Sequence, residues 1–473
     1  MPAKANLFRE IRRAPQGPKV GAFFDVDRTL LAGFSASAFY RERLLSGRMT
    51  PAEAISTIRG TTGFLMGRTG FSGLMAASTA AWRGLSESTL IEIGQEVFDK
   101  HLATKIYPES RALLRAHRER GHTVAIISSA TPYQVDPLAR ELEIENVMCT
   151  RLEVENGVFT GDVLKPTCFG EGKRLAGEEL ANRFDLDLSE CFFYTDSSDD
   201  LPLLEAVGKP CPLNPDSMLA QISKERGWPV RRFQSRGTPG VEQIARSALA
   251  LASLLPSVVV GTTVGLINRS QREAVNVAGS MWSDLSMALS GVDLRVEGEE
   301  HLWTHRPAVF IFNHQSALDA PLMLKMVRRD VTGVGKKEIA NNPIFGPIGK
   351  AAGAVFIDRA DRARAIEALE PAVDALKQGR SLIIAPEGTR QPTPRLGRFK
   401  KGAFHMAMQA GVPIVPVVFR NALDALPKDA LVIRQAVVEA VVLPPVDTSS
   451  WTRETLDDEI AAIRDRYLEV LEG

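Results

Sequence analysis

Short apolar runs that stop abruptly at polar or charged residues constrain this 473-residue chain more than any other feature. Val20-Gly21-Ala22-Phe23-Phe24 runs into Asp25-Val26-Asp27-Arg28-Thr29-Leu30, His122 to Ile127 stops at Ser128-Ser129, and Cys191 to Thr195 delivers Asp196 and then Asp200. In the second half, Ala308 to Phe312 ends at Asn313-His314, Gly353 to Ile357 at Asp358-Arg359, and Ser381 to Pro386 at Glu387-Gly388-Thr389-Arg390. Runs this short suit buried strands. Helical patterns follow several of them, so an α/β chain with parallel sheets is expected. Polar groups at the carboxyl ends of parallel strands line the crevice where such sheets bind ligands.

The length exceeds one ordinary core and suggests two domains with an extra element between them. Its 57 basic and 57 acidic residues cancel, so no global field points to nucleic acid, and a charged partner has to be recognised locally. Residues 1–20 place charges and prolines where a secretory signal needs an apolar core, which reads as a cytosolic origin. Cys149, Cys168, Cys191 and Cys211 are too widely spaced for a zinc knuckle and read as small buried side chains.

Asp25 and Asp27 end a strand, where two carboxylates can divide roles, one attacking phosphorus and the other handling the leaving-group proton. Ser128 offers a hydroxyl to a phosphoryl oxygen, and Lys173 an ammonium to the charge that develops during transfer. Crowded carboxylates at Asp196 and Asp200 repel unless a hard cation intervenes, and oxygen-only ligands favour magnesium. With four such motifs in order, residues 20 to about 235 resemble the haloacid dehalogenase-like superfamily in its phosphoserine-phosphatase-like branch, subfamily IB. The resemblance implies a Rossmann-like domain with Asp25 as nucleophile and Asp27 as general acid/base. It also implies Mg2+ at Asp25, Asp196 and the main-chain carbonyl of Asp27, supported by Asp200, Ser128 and Lys173, and a helical cap over residues 31–105. Two residues depart from the family pattern: Arg28 stands where a small residue is common, and Thr195 where glycine often precedes the metal-binding aspartate. Arg28 either recruits an anionic substrate or obstructs the pocket.

From Ser247 to Asn268 there are 22 residues without a charge, about the length that spans a bilayer. Ser253, Pro256, Ser257, Gly261, Thr262, Thr263 and Gly265 dilute the stretch, which favours a shallow or interfacial helical hairpin bent at Pro256. Arg231, Arg232, Arg236, Arg246, Arg269 and Arg272 bracket it and suit anionic headgroups. The competing reading is a buried pair of interdomain helices.

In the second half, His314 and Asp319 fall at a strand-to-helix corner. From there a carboxylate can accept an imidazole N–H and leave the other ring nitrogen to take a proton from an alcohol. Arginines at strand ends present forked donors to phosphate, and Gly388 permits close backbone approach. Val412-Pro413-Ile414-Val415-Pro416-Val417 is a strand with prolines, expected at an edge or a pocket wall. NHxxxxD, GxxFIxR, EGTR and VPIVPV in this order make the region from about 270 onward resemble the 1-acylglycerol-3-phosphate acyltransferase family of the PlsC type. The resemblance implies His314 as general base, Asp319 as its orienting partner, and an acceptor site at Arg359, Glu387, Gly388, Thr389 and Arg390, with Lys336 and Lys337 adding charge nearby. It implies lysophosphatidic acid as acceptor, acyl-CoA or acyl-carrier protein as donor, and a helical pair on the membrane. Ile460, Ile463, Tyr467 and Leu471 have helical spacing and read as a C-terminal helix packed on this domain.

The expected organisation is a tail over 1–19, a phosphatase domain over 20–235, a linker over 236–246, a helical membrane-associating motif over 247–290 and an α/β acyltransferase domain over 291–473. The expected function is a membrane-associated acyltransferase making phosphatidic acid, fused to a Mg2+-dependent phosphomonoesterase, on the cytoplasmic face as a peripheral or monotopic protein. The alternative is an acyltransferase whose first domain is a regulatory or ligand-binding module.

Overall fold

The computed structural model describes residues 8–66, 70–343, 345–357 and 369–472. It divides into two compact units, Met1–Thr238 and Pro239–Gly473. The first contains β1 (Gly21–Phe24), β2 (Thr123–Ser128), β3 (Asn146–Cys149), β4 (Leu152–Glu155), β5 (Val158–Val163), β6 (Phe192–Thr195) and β7 (Lys209–Pro212). Five of them form a parallel sheet in the order β3-β2-β1-β6-β7, while β4 and β5 pair as an antiparallel hairpin. Strand order reverses beside β1, so the ligand crevice opens at its carboxyl end, where Asp25 stands. Helices Ser35–Leu45, Pro51–Leu65, Phe71–Thr79 and Glu87–Val97 occupy the expected cap interval.

The second unit contains β8 (Val292–Glu297), β9 (Val309–Phe312), β10 (Val331–Lys336), β11 (Val355–Ile357), β12 (Ser381–Ile384), β13 (Ile414–Phe419) and β14 (Ala436–Val442). Their order is β11-β10-β12-β9-β13-β14-β8, parallel throughout except between β13 and β14. The C-terminal helix Leu456–Glu472 buries Leu456, Ile460, Ile463 and Tyr467, as the spacing predicts.

The structure departs from the sequence reading at four places. The proline-bearing strand lies in the sheet interior, between β9 and β14, with all six residues buried. Pro416 O accepts the Leu443 N–H at 2.9 Å, so the ring nitrogen also faces the β14 side, one residue past the last in-register pair of Val417 with Val442, and its missing N–H interrupts none of those pairs. Residues 9–13 are helical and bury Ile11 in the core of the first unit, where a tail was expected. The helix bend falls at Ser253, between helices Val241–Ala252 and Leu254–Asn268. Pro256 lacks the N–H that would bond Ala252, which frees the preceding turn. Finally, Arg231 pairs with Glu10 at 3.0 Å, and the Arg236 Nε–H donates to Thr104 O at 3.0 Å, so both serve the first unit's own fold.

Helices Leu254–Asn268 and Gln271–Ser290 pack at close range through small residues. A Cβ on Gly261 would stand 2.7 Å from that of Ala278, and one on Gly265 2.5 Å from that of Ala274. The segment Val241–Asn268 is long and apolar enough to cross a membrane by length and composition, with mean hydropathy 1.9 over its most apolar stretch, of which 33% is buried. Leu255, Val259, Leu266 and Ile267 are exposed along it.

One buried polar chain sets an acid limit on the first unit. His122 Nε2 lies 2.9 Å from Pro15 O, His122 Nδ1 lies 2.8 Å from His117 Nδ1, and His117 Nε2 lies 2.9 Å from the Tyr194 hydroxyl. A carbonyl only accepts, so His122 carries its proton on Nε2 and accepts at Nδ1 from His117, which in turn accepts from Tyr194. A further proton on His122 sets two N–H groups head to head, and one on His117 Nε2 displaces the hydrogen bond donated by the Tyr194 hydroxyl. Burial, then the neighbouring His122, holds His117 well below the usual histidine range, and burial also lowers His122. Unfolded histidines protonate near pH 6.5, so this contribution is present above that value and is lost as pH falls toward the depressed folded values, by about 1.4 kcal/mol per pH unit per proton. Denaturant titrations between pH 7 and 5 should show stability falling less steeply for His117→Leu/His122→Leu than for the wild type.

Candidate active sites

In the first unit, β1 and β6 deliver two pairs of carboxylates to one crevice. The Asp25 N–H donates to Tyr194 O at 2.9 Å, which continues the pairing of β1 with β6 one residue beyond the strand. Lys173, near the start of helix Glu171–Phe184, is buried and places Nζ 2.8 Å from Asp25 Oδ1 and 2.7 Å from Asp200 Oδ2. Burial opposes the ammonium, but Asp200 and Asp25 outweigh it and raise the Lys173 pKa, so the residue is a permanent cation. Burial pushes Asp25 up to about 7 against the attraction of Lys173, and pushes Asp196 up to about 8 with help from Asp25. Burial also raises Asp27, whose Oδ1 accepts the Ser35 N–H at 2.8 Å. A carboxyl whose neutral form is favoured by burial suits proton donation to a leaving group. Ser128 is buried at the end of β2, where its Oγ accepts the Ala130 N–H at 3.3 Å.

Both departures noted in the sequence find a place here. Thr195 is buried and donates its hydroxyl to Asp200 Oδ2, giving that carboxylate a second donor beside Lys173. Arg28 has φ 56, in the left-handed region that a non-glycine residue rarely adopts. It sets NH1 3.1 Å from Asp196 Oδ2 and donates from NH2 to Asn214 O at 3.1 Å, while Asn214 Nδ2 donates back to Arg28 O at 2.8 Å. The participation of Asn214 carried no signal in the sequence.

The donor set fits a hard divalent cation. Among the described residues, Asp25, Asp27, Asp196 and Asp200 face two cations, Lys173 and Arg28, leaving two negative charges unbalanced if all four ionise. Buried carboxylate oxygens without nitrogen or sulfur ligands are the chemistry of magnesium. Among the described residues, no three His, Cys, Asp or Glu side chains stand in a ready metal-ligating group. Lys173 and Arg28 hold three of these carboxylates instead.

In the second unit, β9 ends in Asn313, whose side chain takes both backbone groups of Phe419: the Phe419 N–H donates to Oδ1 at 2.7 Å and Nδ2 donates to Phe419 O at 2.8 Å. This clamp fixes the start of the following loop. His314 Nδ1 lies 2.8 Å from Asp319 Oδ2, which also accepts the N–H groups of Gln315 and Ser316 at 2.8 and 2.9 Å. Asp319 is fully buried; burial raises its pKa, and these three donors oppose the rise. A carboxylate held by three N–H groups can only accept from His314, so Nδ1 carries the proton and Nε2 is free. The His314 side chain is 27% exposed, so that nitrogen is within reach of a substrate.

Glu387, at the end of β12, turns inward. Its Oε1 accepts the His314 N–H at 2.7 Å and its Oε2 the Gly397 N–H at 2.8 Å, while the Gln391 N–H donates to His314 O at 2.8 Å. Glu387 thus positions the histidine loop, whereas the sequence reading put it among the groups that touch the acceptor. Gly388 has φ +73, Thr389 is exposed, and Arg390 approaches Asp429 at 3.7 Å. Lys336 ends β10 and is exposed. Arg359 lies outside the described residues.

Comparison with known proteins matches both halves. A family profile described as haloacid dehalogenase-like hydrolase covers residues 22–205, and one described as acyltransferase covers residues 293–420. A Mycobacterium tuberculosis protein named phosphoserine phosphatase is 34% identical over 272 residues, covering 54% of this chain and 86% of the relative. A Limnanthes alba protein named 1-acyl-sn-glycerol-3-phosphate acyltransferase is 34% identical over 194 residues, covering 41% of this chain and 68% of the relative. The chain belongs to both families. It joins a haloacid dehalogenase-like phosphatase domain to an acyltransferase domain similar to the 1-acyl-sn-glycerol-3-phosphate acyltransferases. A crystal structure of the lysophosphatidate acyltransferase of Thermotoga maritima aligns at 24% identity and a TM-score of 0.41, over 49% of this chain and 98% of that one. Within the acyltransferase domain, the buried Asp319 and the half-buried His314 are the pair on which a proton-transfer role rests.

Proposed function

We propose that the acyltransferase domain transfers a fatty acyl group from an acyl thioester to lysophosphatidic acid, forming phosphatidic acid. The observation that carries this reading is the His314–Asp319 pair at 2.8 Å with Nε2 free. As the acceptor hydroxyl attacks the thioester carbonyl, His314 Nε2 takes its proton, and Asp319 stabilises the imidazolium that results. The C–O ester bond forms, the C–S bond breaks, and the thiolate leaves with the proton that His314 received. Arg390 and Arg359 are assigned to the acceptor's phosphate, with Gly388 and Thr389 in the same turn. Helices Val241–Asn268 and Gln271–Ser290 seat the protein on a membrane surface, read as the cytoplasmic face, through the exposed residues Leu255, Val259, Leu266 and Ile267. Both substrates carry acyl chains that partition into that surface.

We propose that the phosphatase domain hydrolyses a phosphomonoester, with Asp25 as nucleophile, Asp27 as general acid and base, and Ser128 and Lys173 on the transferring phosphoryl group. Asp25, Asp196, Asp200 and the main chain at Asp27 would hold Mg2+, which supplies positive charge to the phosphoryl oxygens when bound. Arg28 on Asp196 favours a second reading, in which this domain binds a ligand without turning it over. Incubating the whole protein with lysophosphatidic acid and acyl-CoA, with and without Mg2+, and following lipid products and free phosphate together tests both parts. Phosphatidic acid is expected in either condition and phosphate from a phosphomonoester panel only with Mg2+. Absence of acyl transfer with any thioester carrier sinks the first assignment, and absence of phosphate release sinks the second and favours the ligand-binding reading.

A further inference from the structure

The turn Glu387-Gly388-Thr389-Arg390 is crossed by a side chain that its motif does not include. A Cβ built on Gly388 would stand 2.9 Å from Lys400 Nζ, 3.1 Å from Cε and 3.2 Å from Cδ, so the last three atoms of Lys400 lie flat against the glycine. The backbone keeps them there. The Lys400 N–H donates to Pro386 O at 2.9 Å, and three residues earlier the Gly397 N–H donates to Glu387 Oε2 at 2.8 Å. Lys400 is exposed, and the end of its stem lies along a turn bonded to His314 through both its N–H and its carbonyl.

Its charge has no counterpart. Among the described residues, none pairs with the Lys400 ammonium. Its neighbour Lys401 takes Asp457 at 2.7 Å, so acids are available to cations of this loop. Glu387, the acid nearest in the turn, spends one oxygen on each of two backbone N–H groups. Arg390 reaches Asp429 only at 3.7 Å, and that carboxylate is 73% exposed. Two cations therefore flank Gly388 beside the base with little internal neutralisation. An ammonium beside a forked guanidinium suits phosphate oxygens.

We infer that Lys400 is a phosphate-positioning residue of the acyltransferase site, and that position 388 is glycine so that the lysine stem can cross the turn. The inference rests on the acyl-transfer reading above. A phosphate monoester on the acceptor and the phosphates of a nucleotide-bearing thioester offer the same chemistry, and the test separates them. Steady-state kinetics of the full-length protein on phospholipid vesicles, varying lysophosphatidic acid and acyl-CoA independently, should show Lys400→Met raising one KM by about tenfold to a hundredfold, the size of a hydrogen bond to a charged group. Turnover at saturation should stay within about threefold, and Lys400→Arg should recover most of the loss. A rise confined to lysophosphatidic acid assigns the ammonium to the acceptor. A rise confined to acyl-CoA, absent with an acyl-pantetheine thioester that lacks the nucleotide, assigns it to the donor. Two unchanged KM values, or a fall in turnover alone, overturn the inference while leaving acyl transfer standing. Equilibrium binding of each substrate gives the same comparison independently of turnover: equal affinities in the variant and the wild type overturn the inference, and a wild type that neither binds nor transfers overturns it together with the reading beneath it.

Discussion

Replacing His314 by alanine is expected to reduce acyl transfer by about a hundredfold to ten-thousandfold, the range that a positioned proton acceptor contributes, while phosphate release is unchanged. Asp319→Asn is also expected to lower acyl transfer, for an electrostatic reason. Asp319 Oδ2 accepts three N–H groups at 2.8 to 2.9 Å: those of the His314 ring, Gln315 and Ser316. An asparagine oxygen in the place of Oδ2 keeps all three donors, and the NH2 group falls in the place of Oδ1, which is buried with no hydrogen-bond partner among the described residues. The ring keeps its proton on Nδ1, but a neutral amide no longer stabilises the imidazolium that forms when Nε2 takes the acceptor's proton, and an amide NH2 is left buried and unpaired. Residues acting as one unit are non-additive, so His314→Ala/Asp319→Asn should be little worse than His314→Ala alone. Acyl transfer near the wild-type rate in His314→Ala would refute the assignment, whatever lipid the enzyme makes.

Motifs that lie at strand ends were legible because a strand fixes where its last residue goes. Val309–Phe312 is buried throughout, so its end has one place to be, and the spacing from His314 to Asp319 then closes a loop whose carboxylate faces its own imidazole. Asp25, Asp196 and Asp200 converge for the same reason, through parallel pairing of β1 with β6. What escaped the sequence were partnerships over long separations that no local pattern encodes. Asn313 reaches Phe419, Glu387 reaches the His314 backbone, Arg28 reaches Asp196 and Asn214, and the Tyr467 hydroxyl reaches the Ile311 carbonyl. The edge expectation failed at Pro416 because the missing N–H falls one residue past the end of the pairing between β13 and β14, so an interior strand accommodates the proline. Glu387 was assigned to the acceptor from its place in EGTR; the direction in which its side chain turns depends on a loop ten residues later, at Gly397.

Asp25→Asn is expected to abolish phosphate release from every phosphomonoester while leaving acyl transfer within about twofold, because an amide cannot form the covalent phosphoryl intermediate proposed for Asp25. The same substitution should not unfold the domain. Burial already pushes the Asp25 carboxyl up to about 7, so the native site resists the charge that the reaction needs, and Lys173 keeps Asp200 at 2.7 Å when Asp25 is neutral. A group whose folded pKa is raised loses stability as pH rises through that value. Without a divalent cation at pH 8, Asp25→Asn is therefore expected to melt at or above the wild-type temperature. Mg2+ should reverse the order, since it can offset repulsion among carboxylates that Lys173 and Arg28 balance only in part. Thermal melts of both proteins with and without Mg2+ check this, and a wild type that gains no more from the ion than Asp25→Asn does would count against Asp25 as a ligand. Opposite signs for activity and metal-free stability would mark the crevice as a site that holds buried charge for function at the expense of the fold.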